Sequence, residues 1–352
     1  MHTDYDALVI GGGQSGLAAT HHLRKRGLSV ALLEAGVEPV GSWPHYYDSL
    51  TLFSPAKYSS LPGLPFPGDP DHYPRRDEVV DYLRHYAKTL DADIHTGTCV
   101  HTVTHEGARF TAHSSTGDAY TAPRLIAATG GFGTPNLPNL PGQDVFTGKI
   151  LHASQYRAPE EHAGQHVIVI GAGNSAVQIA AELAEHTTVT LASRNPVKFI
   201  PQRPLGRDMH FWFTITGLDA LPIGHLIKQP PTAPVFDTGH YKRALENRHP
   251  EARPMFTHLD EQSAIWENGN RERVDTLILA TGYTPNLAYL NDIGALTATG
   301  KPQHRKGLSI THRRLGYLGL EWQRSLSSAS LRGVGRDAQQ LARQLDTLAI
   351  TP

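Results

Sequence analysis

The chain has 352 residues, with 32 Lys+Arg against 33 Asp+Glu and a net charge of −1. That length suggests two domains, and the balanced charge leaves no electrostatic footprint for nucleic acid or an anionic membrane. A single cysteine, Cys99, excludes both an internal disulfide and a redox-active Cys-x-x-Cys pair; no apolar run approaches the ~18 residues of a membrane-spanning helix, and the 21 histidines show no metal-ligand spacing, so no metal is expected.

In chain order, residues 1–36 read as strand, helix, strand. Asp4 and Asp6 stand where a secretory leader would be basic, so a cytoplasmic protein is expected. Ala7-Leu8-Val9-Ile10 has the continuous apolar character of a buried strand. It ends in Gly11-Gly12-Gly13-Gln14-Ser15-Gly16 and then alanine-rich helical sequence. Strand, glycine turn and helix in that order are the fingerprint of a dinucleotide site. The glycines let backbone N–H groups approach a pyrophosphate, and the helix N-terminus faces its charge. Glu34 follows the next apolar run, Val30-Ala31-Leu32-Leu33, where a carboxylate accepts hydrogen bonds from a free ribose. FAD is the dinucleotide expected here.

Residues 39–74 are rich in Pro, Gly and Ser and hold Trp43, Tyr46, Tyr47, Phe53, Tyr58 and Phe66. So long a loop inside a domain is usually functional. Glu78–Leu90 carries Val79, Val80, Leu83, Tyr86 and Leu90 on one helical face. Ile94–Tyr120, which contains Val100, alternates in short pieces as an antiparallel meander would. Leu125-Ile126-Ala127-Ala128 is a strand ending in Thr129-Gly130, and residues 131–142 form a stiff, helix-free connector.

The fingerprint then repeats. Val167-Ile168-Val169-Ile170 leads into Gly171-Ala172-Gly173-Asn174-Ser175-Ala176. At the offset that Glu34 has from Gly11, this half has Ser193-Arg194. A guanidinium there accommodates a 2′-phosphate, so NADPH is the expected second cofactor. Residues 198–241 form an insert with Arg203, Arg207, His210, Trp212, Phe213 and Tyr241 among prolines and glycines. A substrate lid and a dimer surface are equal readings of it. The strand Val274–Leu279 ends in Ala280-Thr281-Gly282, as the earlier strand ends in Ala128-Thr129-Gly130. The two endings read as crossing points between one domain and another inserted in it. Near the C-terminus, an amphipathic helix is expected after Gly333-Val334-Gly335-Arg336-Asp337, to about Leu348; its start would face the flavin pyrimidine and stabilise negative charge there, with ordinary N-capping by Asp337 as the competing explanation.

The fold class is therefore α/β, with two Rossmann-like dinucleotide-binding domains. Residues 1–145 and 285–352 form a discontinuous FAD domain. Residues 146–284 form the inserted NADPH domain, with the lid-like insert near 198–241.

Phe146, Gly148, His152 and Tyr156, just before the second fingerprint, match the four fixed positions of FxGxxxHxxxY. Here the chain resembles the flavin-containing monooxygenases. Gly41-Ser42-Trp43 resembles their GGxW segment, with Ser42 in place of a glycine, and Ala280-Thr281-Gly282-Tyr283 resembles their second ATG motif. Tyr156-Arg157 departs from the related Baeyer–Villiger pattern, and the length resembles that of the compact bacterial members. The resemblance implies that NADPH reduces FAD and that reduced flavin meets O2. The resulting C4a-(hydro)peroxyflavin then gives one oxygen to a small sulfur or nitrogen nucleophile or to a ketone. It implies an FAD site of Gly11, Gly13, Gln14, Ser15, Gly16, Glu34, Trp43, Val100, Thr129 and Gly130. The NADPH site it implies is Gly171, Gly173, Asn174, Ser175, Ser193, Arg194, Thr281 and Gly282. His152 and Tyr156 would hold NADP+ over the flavin, with a hinge histidine as the plainer reading of His152. Many members carry an Asn beside the flavin; Leu52-Phe53-Ser54-Pro55 has none, and Phe53 would shape the pocket instead. The expected partners are a small-molecule substrate and O2, with a homodimer as one reading of the assembly. A flavin reductase or oxidase without oxygen insertion is the alternative.

Overall fold

The computed structural model describes residues 2–227 and 234–347. Its first sheet has the strand order His304–Arg305, Leu308–Ser309, Leu315–Tyr317, Leu125–Ala127, Ala7–Ile10, Val30–Leu33, Asp93–His95. From Leu315–Tyr317 onward all neighbours are parallel. The apolar run at residues 7–10 is buried on both faces, as central parallel strands are. Ala7 and Val9 join the core under the helices Gln14–Arg24, Arg76–Lys88 and Leu331–Thr347, whereas Leu8 and Ile10 join the core under the meander. That division is the two-residue period of a strand.

The meander holds Val100–Glu106, Arg109–Ser114 and Ala119–Ala122 in antiparallel order, extended by His2–Asp4 in parallel. Asp93–His95, expected within it, instead closes the edge of the parallel sheet.

The second sheet is wholly parallel, in the order Lys149–His152, Thr276–Leu279, His166–Ile170, Thr188–Ser193, Glu251–Pro254. Val167 and Val169 pack under the helix Asn174–Ala184; Ile168 and Ile170 pack under a small antiparallel sheet that brings Leu259, Ala264 and Trp266. Two Rossmann-like sheets, one carried between strands of the other, make up the α/β fold expected from the two fingerprints. The halves are joined by a ribbon in which Thr134–Pro135 pairs antiparallel with Tyr283–Thr284.

The insert opens and closes on a parallel pair, Phe199–Pro201 with Val235–Asp237, and carries the helix Met209–Thr216. It reaches back to the first half. Arg332 Nη2 donates to Asp219 Oδ1 at 2.9 Å in a buried ion pair, and Ser327 N donates to Asp219 O at 3.1 Å.

The expected helix start at Asp337 is corrected. The helix begins at Leu331, and Asp337 lies within it, buried, accepting from Arg324 Nε at 2.5 Å. Gly333 and Gly335, poor helix formers by propensity, are helical residues at close approaches. A Cβ on Gly333 would collide with Ser327 O, and one on Gly335 would stand 2.6 Å from Pro62 Cγ.

Candidate functional site

The first glycine turn is tightly enclosed. Gly11 has φ +104°, and a Cβ there would lie 2.8 Å from Ala128 O. A Cβ on Gly13 would come 3.3 Å from Gly41 Cα, and one on Gly16 would collide with Gly11 O. The third glycine thus permits the close helix–strand packing that the fingerprint requires. Glu34, 7 % exposed, accepts from Gly12 N at 2.5 Å through Oε2 and from Gly36 N at 2.7 Å through Oε1. Each oxygen keeps a further lone pair for a ribose hydroxyl. Thr98 N donates to Glu34 O at 2.8 Å, which brings the next strand, with Val100 half-buried at its start, beside the acid.

Gly13 is the N-cap of the helix Gln14–Arg24 without any side-chain acceptor, and no acidic residue occupies the first turn. An uncapped N-terminus of this kind offers its N–H groups and dipole to an anion. Around it, Gln14 accepts from Trp43 Nε1 at 3.3 Å and donates to Ala329 O at 2.7 Å. Ser15 packs so closely on Gly319 that a Cβ on Gly319 would strike its hydroxyl, and Gly130 lies against the same spot. Thr129 turns away to Asn286 O at 3.0 Å. Sequence reasoning missed Gly319 and Ala329 as neighbours of this turn. Only the positive φ of Gly319, +84°, marks its role, and that is not legible without coordinates.

The second turn is more open. Gly171 is required, because a Cβ would lie 2.5 Å from Ala280 O. Gly173 again caps its helix without a side-chain acceptor, and a Cβ there would meet nothing within 4 Å. Ser175 is exposed. Asn174 reaches into the insert, accepting from Phe236 N at 3.3 Å and donating to Pro234 O at 3.4 Å. Ser193 donates to Asn195 O at 2.8 Å. Arg194 is exposed and has no ion-pair partner among the described residues. A free guanidinium at this strand end suits a phosphate that arrives with a ligand.

His152 lies at the joint between halves, 2 % exposed. Ser154 N donates to Nδ1 at 3.1 Å, and Nε2 stands 3.0 Å from Gly282 O, so Nε2 carries the proton. Burial lowers its pKa, opposed by the Gly282 carbonyl, and the ring is neutral at pH 7. Its ring lies edge-on to Tyr283 at 4.8 Å. Thr281 donates to Asn136 O at 2.5 Å, and Asn136 N donates to Gly282 O at 2.9 Å. His152, Thr281 and Gly282 are thus brought together on the ribbon. Tyr156 is not with them. It is fully buried under the second sheet, stacked on His162 and donating to Glu182 Oε2 at 2.8 Å. Burial and the neighbouring Glu182 raise its pKa.

Phe53, 40 % exposed, lies where the 39–74 loop meets the insert. It stacks on Phe236 with centroids 5.0 Å apart, and its carbonyl accepts from Gln202 Nε2 at 2.8 Å. The insert therefore covers the loop beside the first turn, as a lid would. Leu205, Ile215, Leu218, Leu221 and Leu226 remain exposed on it, as an interface would need.

A family model described as pyridine nucleotide-disulphide oxidoreductase matches residues 8–205, which span both turns. The chain belongs to the pyridine nucleotide-disulphide oxidoreductase family. Within it, the chain is similar to an uncharacterized oxidoreductase, CzcO-like, of Geobacillus kaustophilus, with 32% identity over 345 residues and 97% and 98% of the two chains covered. An indole-3-pyruvate monooxygenase, YUCCA1, of Oryza sativa subsp. japonica is 29% identical over 324 residues, covering 82% of this chain and 80% of that one. The solved flavin-containing monooxygenase of Stenotrophomonas maltophilia superposes with a TM-score of 0.85 at 31% identity, over 97% and 98% of the two chains. This member of the oxidoreductase family is a flavin-dependent enzyme, and FAD and NADPH are the cofactors that its two turns fit. The disulphide in the family's description finds no dithiol here, because Cys99 is the single cysteine. No helix of the described residues is long and apolar enough to cross a membrane.

Proposed function

We propose that the protein is an NADPH-dependent monooxygenase that puts one atom of O2 into a small sulfur or nitrogen nucleophile or a ketone. The other atom leaves as water, and NADPH supplies the two electrons. FAD, when bound, accepts the hydride and activates O2; the chain's own residues bind, orient and shield. The observation that carries this reading is the pair of uncapped helix N-termini, at Gly13 and Gly173, in one chain that follows a flavin-containing monooxygenase over nearly its whole length.

The geometry supports the following roles. The turn at Gly11–Gly16 holds the FAD pyrophosphate, with Glu34 on its ribose and Trp43 fixed beside it through Gln14. The turn at Gly171–Asn174 holds the pyrophosphate of NADPH, with Arg194 on the 2′-phosphate. His152 is a positioning residue: it fixes the Gly282 carbonyl and hence the backbone where the nicotinamide half of NADPH enters. Tyr156 supports the second sheet from below. Phe53 walls the substrate side and, with the insert, excludes water.

Turnover under 18O2 with methyl phenyl sulfide tests the proposal. One labelled atom per sulfoxide and one NADPH consumed are expected. NADPH oxidation that returns all the oxygen as hydrogen peroxide, across sulfides, amines and ketones alike, would overturn it in favour of an oxidase.

A further inference from the structure

The inner face of the insert holds an Asp–His pair that the roles above do not use. Asp208 and His210 lie at the start of the helix Met209–Thr216, with side chains 9% and 6% exposed. Asp208 Oδ1 accepts from His210 N at 2.8 Å and pairs with the ring Nδ1 at 2.9 Å. Oδ2 accepts from the Tyr73 hydroxyl at 2.6 Å and from Gln202 Nε2 at 2.8 Å. Burial opposes its charge, but the hydrogen bonds from His210, Tyr73 and Gln202 outweigh burial and hold its pKa at about 2. A carboxylate on Nδ1 fixes the proton on that nitrogen and leaves Nε2 as an acceptor. Nε2 makes no hydrogen bond with the described residues and is not among their buried polar side-chain atoms left without a partner.

Flat rings surround this acceptor. Phe53, Tyr58 and Phe236 each stack on His210, with centroids 6.1, 6.1 and 5.7 Å away and planes within 28° of parallel. The C-terminal segment links this place to the first glycine turn. Gln14, first residue of the FAD-side helix, bonds Ala329 O, and Arg332 in the same segment lies over the Tyr58 ring at 5.7 Å.

Resting on the monooxygenase reading, we propose that His210, oriented by Asp208, is the hydrogen-bonding residue of an aromatic-walled subsite that selects flat aromatic substrates carrying an O–H or N–H donor. His152 bonds through both nitrogens and His162 seals its unbonded Nε2 in the core, whereas His210 bonds through one nitrogen and is not sealed at the other. A buried carboxylate also contributes little to stability that apolar packing could not supply. Its place beside an aromatic wall of which Phe53 is 40% exposed fits recognition.

The test is a matched pair of probes, methyl phenyl sulfide and 4-(methylthio)phenol, which share a sulfur and a ring and differ in one donor. Binding to the oxidised holoenzyme is read from the flavin absorbance change, and oxygenation from sulfoxide formed. The wild type is expected to prefer the phenol by roughly three- to tenfold, the value of one hydrogen bond. His210→Phe keeps the stack and removes the acceptor; the preference should vanish while the plain sulfide binds as before. His210→Gln, which returns an acceptor, should restore part of it and serves also if His210→Phe loses FAD. No preference in the wild type, or an equal loss for both probes in both variants, overturns the proposal. A preference that depends on His210 with no sulfoxide from either probe upholds the subsite and overturns the monooxygenase reading alone.

Discussion

The two glycine turns share one local sequence pattern and are built for different tenancies. Around the first, the chain itself is packed against every glycine: Ala128 and Gly41 press on it, and Glu34 bonds Gly12 from within. Around the second, Gly173 faces open space and Arg194 stands in solvent. The first is a socket pressed by its own chain, as would suit a resident cofactor. The second is a shelf, as would suit a cofactor that comes and goes each turnover. The same motif thus acquires a different openness from what surrounds it rather than from its own glycines.

Substitutions in the first turn should have the largest effects. A valine at Gly16 would drive its side chain into Gly11 O, and overpacking of that kind costs about 1–3 kcal/mol, with backbone in the way placing this case at the upper end. The protein should lose FAD and melt early, as flavin content and denaturant unfolding would show. Gly13→Val should fold better but emerge colourless, since the new side chain meets Gly41 and the pyrophosphate's approach. Full flavin occupancy in that variant would break the comparison. Next in size is Arg194→Ala. Losing a charge-assisted contact should weaken NADPH by about 1.5–3 kcal/mol and leave NADH nearly unchanged. Equal weakening of both cofactors in titrations would show that Arg194 is structural.

A smaller change is expected at the joint. His152→Ala frees the Gly282 carbonyl and should spare flavin reduction more than product formation, so the peroxide released per NADPH should rise. If that ratio stays constant while both rates fall together, His152 serves the fold or hydride transfer only. The smallest effect belongs to Gly173→Ala. With nothing within 4 Å of the added methyl, unfolding free energy should move by no more than ~0.5 kcal/mol, while KM for NADPH rises. A stability loss comparable to that at Gly16 would erase the distinction between socket and shelf.

The turns were legible because strand, turn, helix and ribose-reading residue are neighbours in sequence, and local order carries the geometry. Glu34 and Arg194 could be named for that reason. What escaped was non-local. Asp219 and Arg332 are 113 positions apart, and Tyr73 and Asp208 are 135 apart; a lone Asp or Arg in a proline-rich stretch carries no mark of its partner. The C-terminal helix was misjudged for a related reason. Gly333 and Gly335 lower helix propensity, yet they are the only residues that let the helix press on Ser327 and Pro62, and tertiary packing outweighed propensity. Tyr156 shows the converse, since its motif was easily seen but its place under the second sheet was not.

The two halves are stitched along a seam rather than hinged: the ribbon of Thr134–Pro135 with Tyr283–Thr284 lies at one place, the bonds of Tyr73 to Asp208 and of Gln202 to Phe53 O at another, and the Asp219–Arg332 pair at a third. Sliding one half across the other would require unzipping the ribbon, breaking those bonds and tearing the ion pair together, so the seam keeps the two glycine turns in register as several rivets keep two plates.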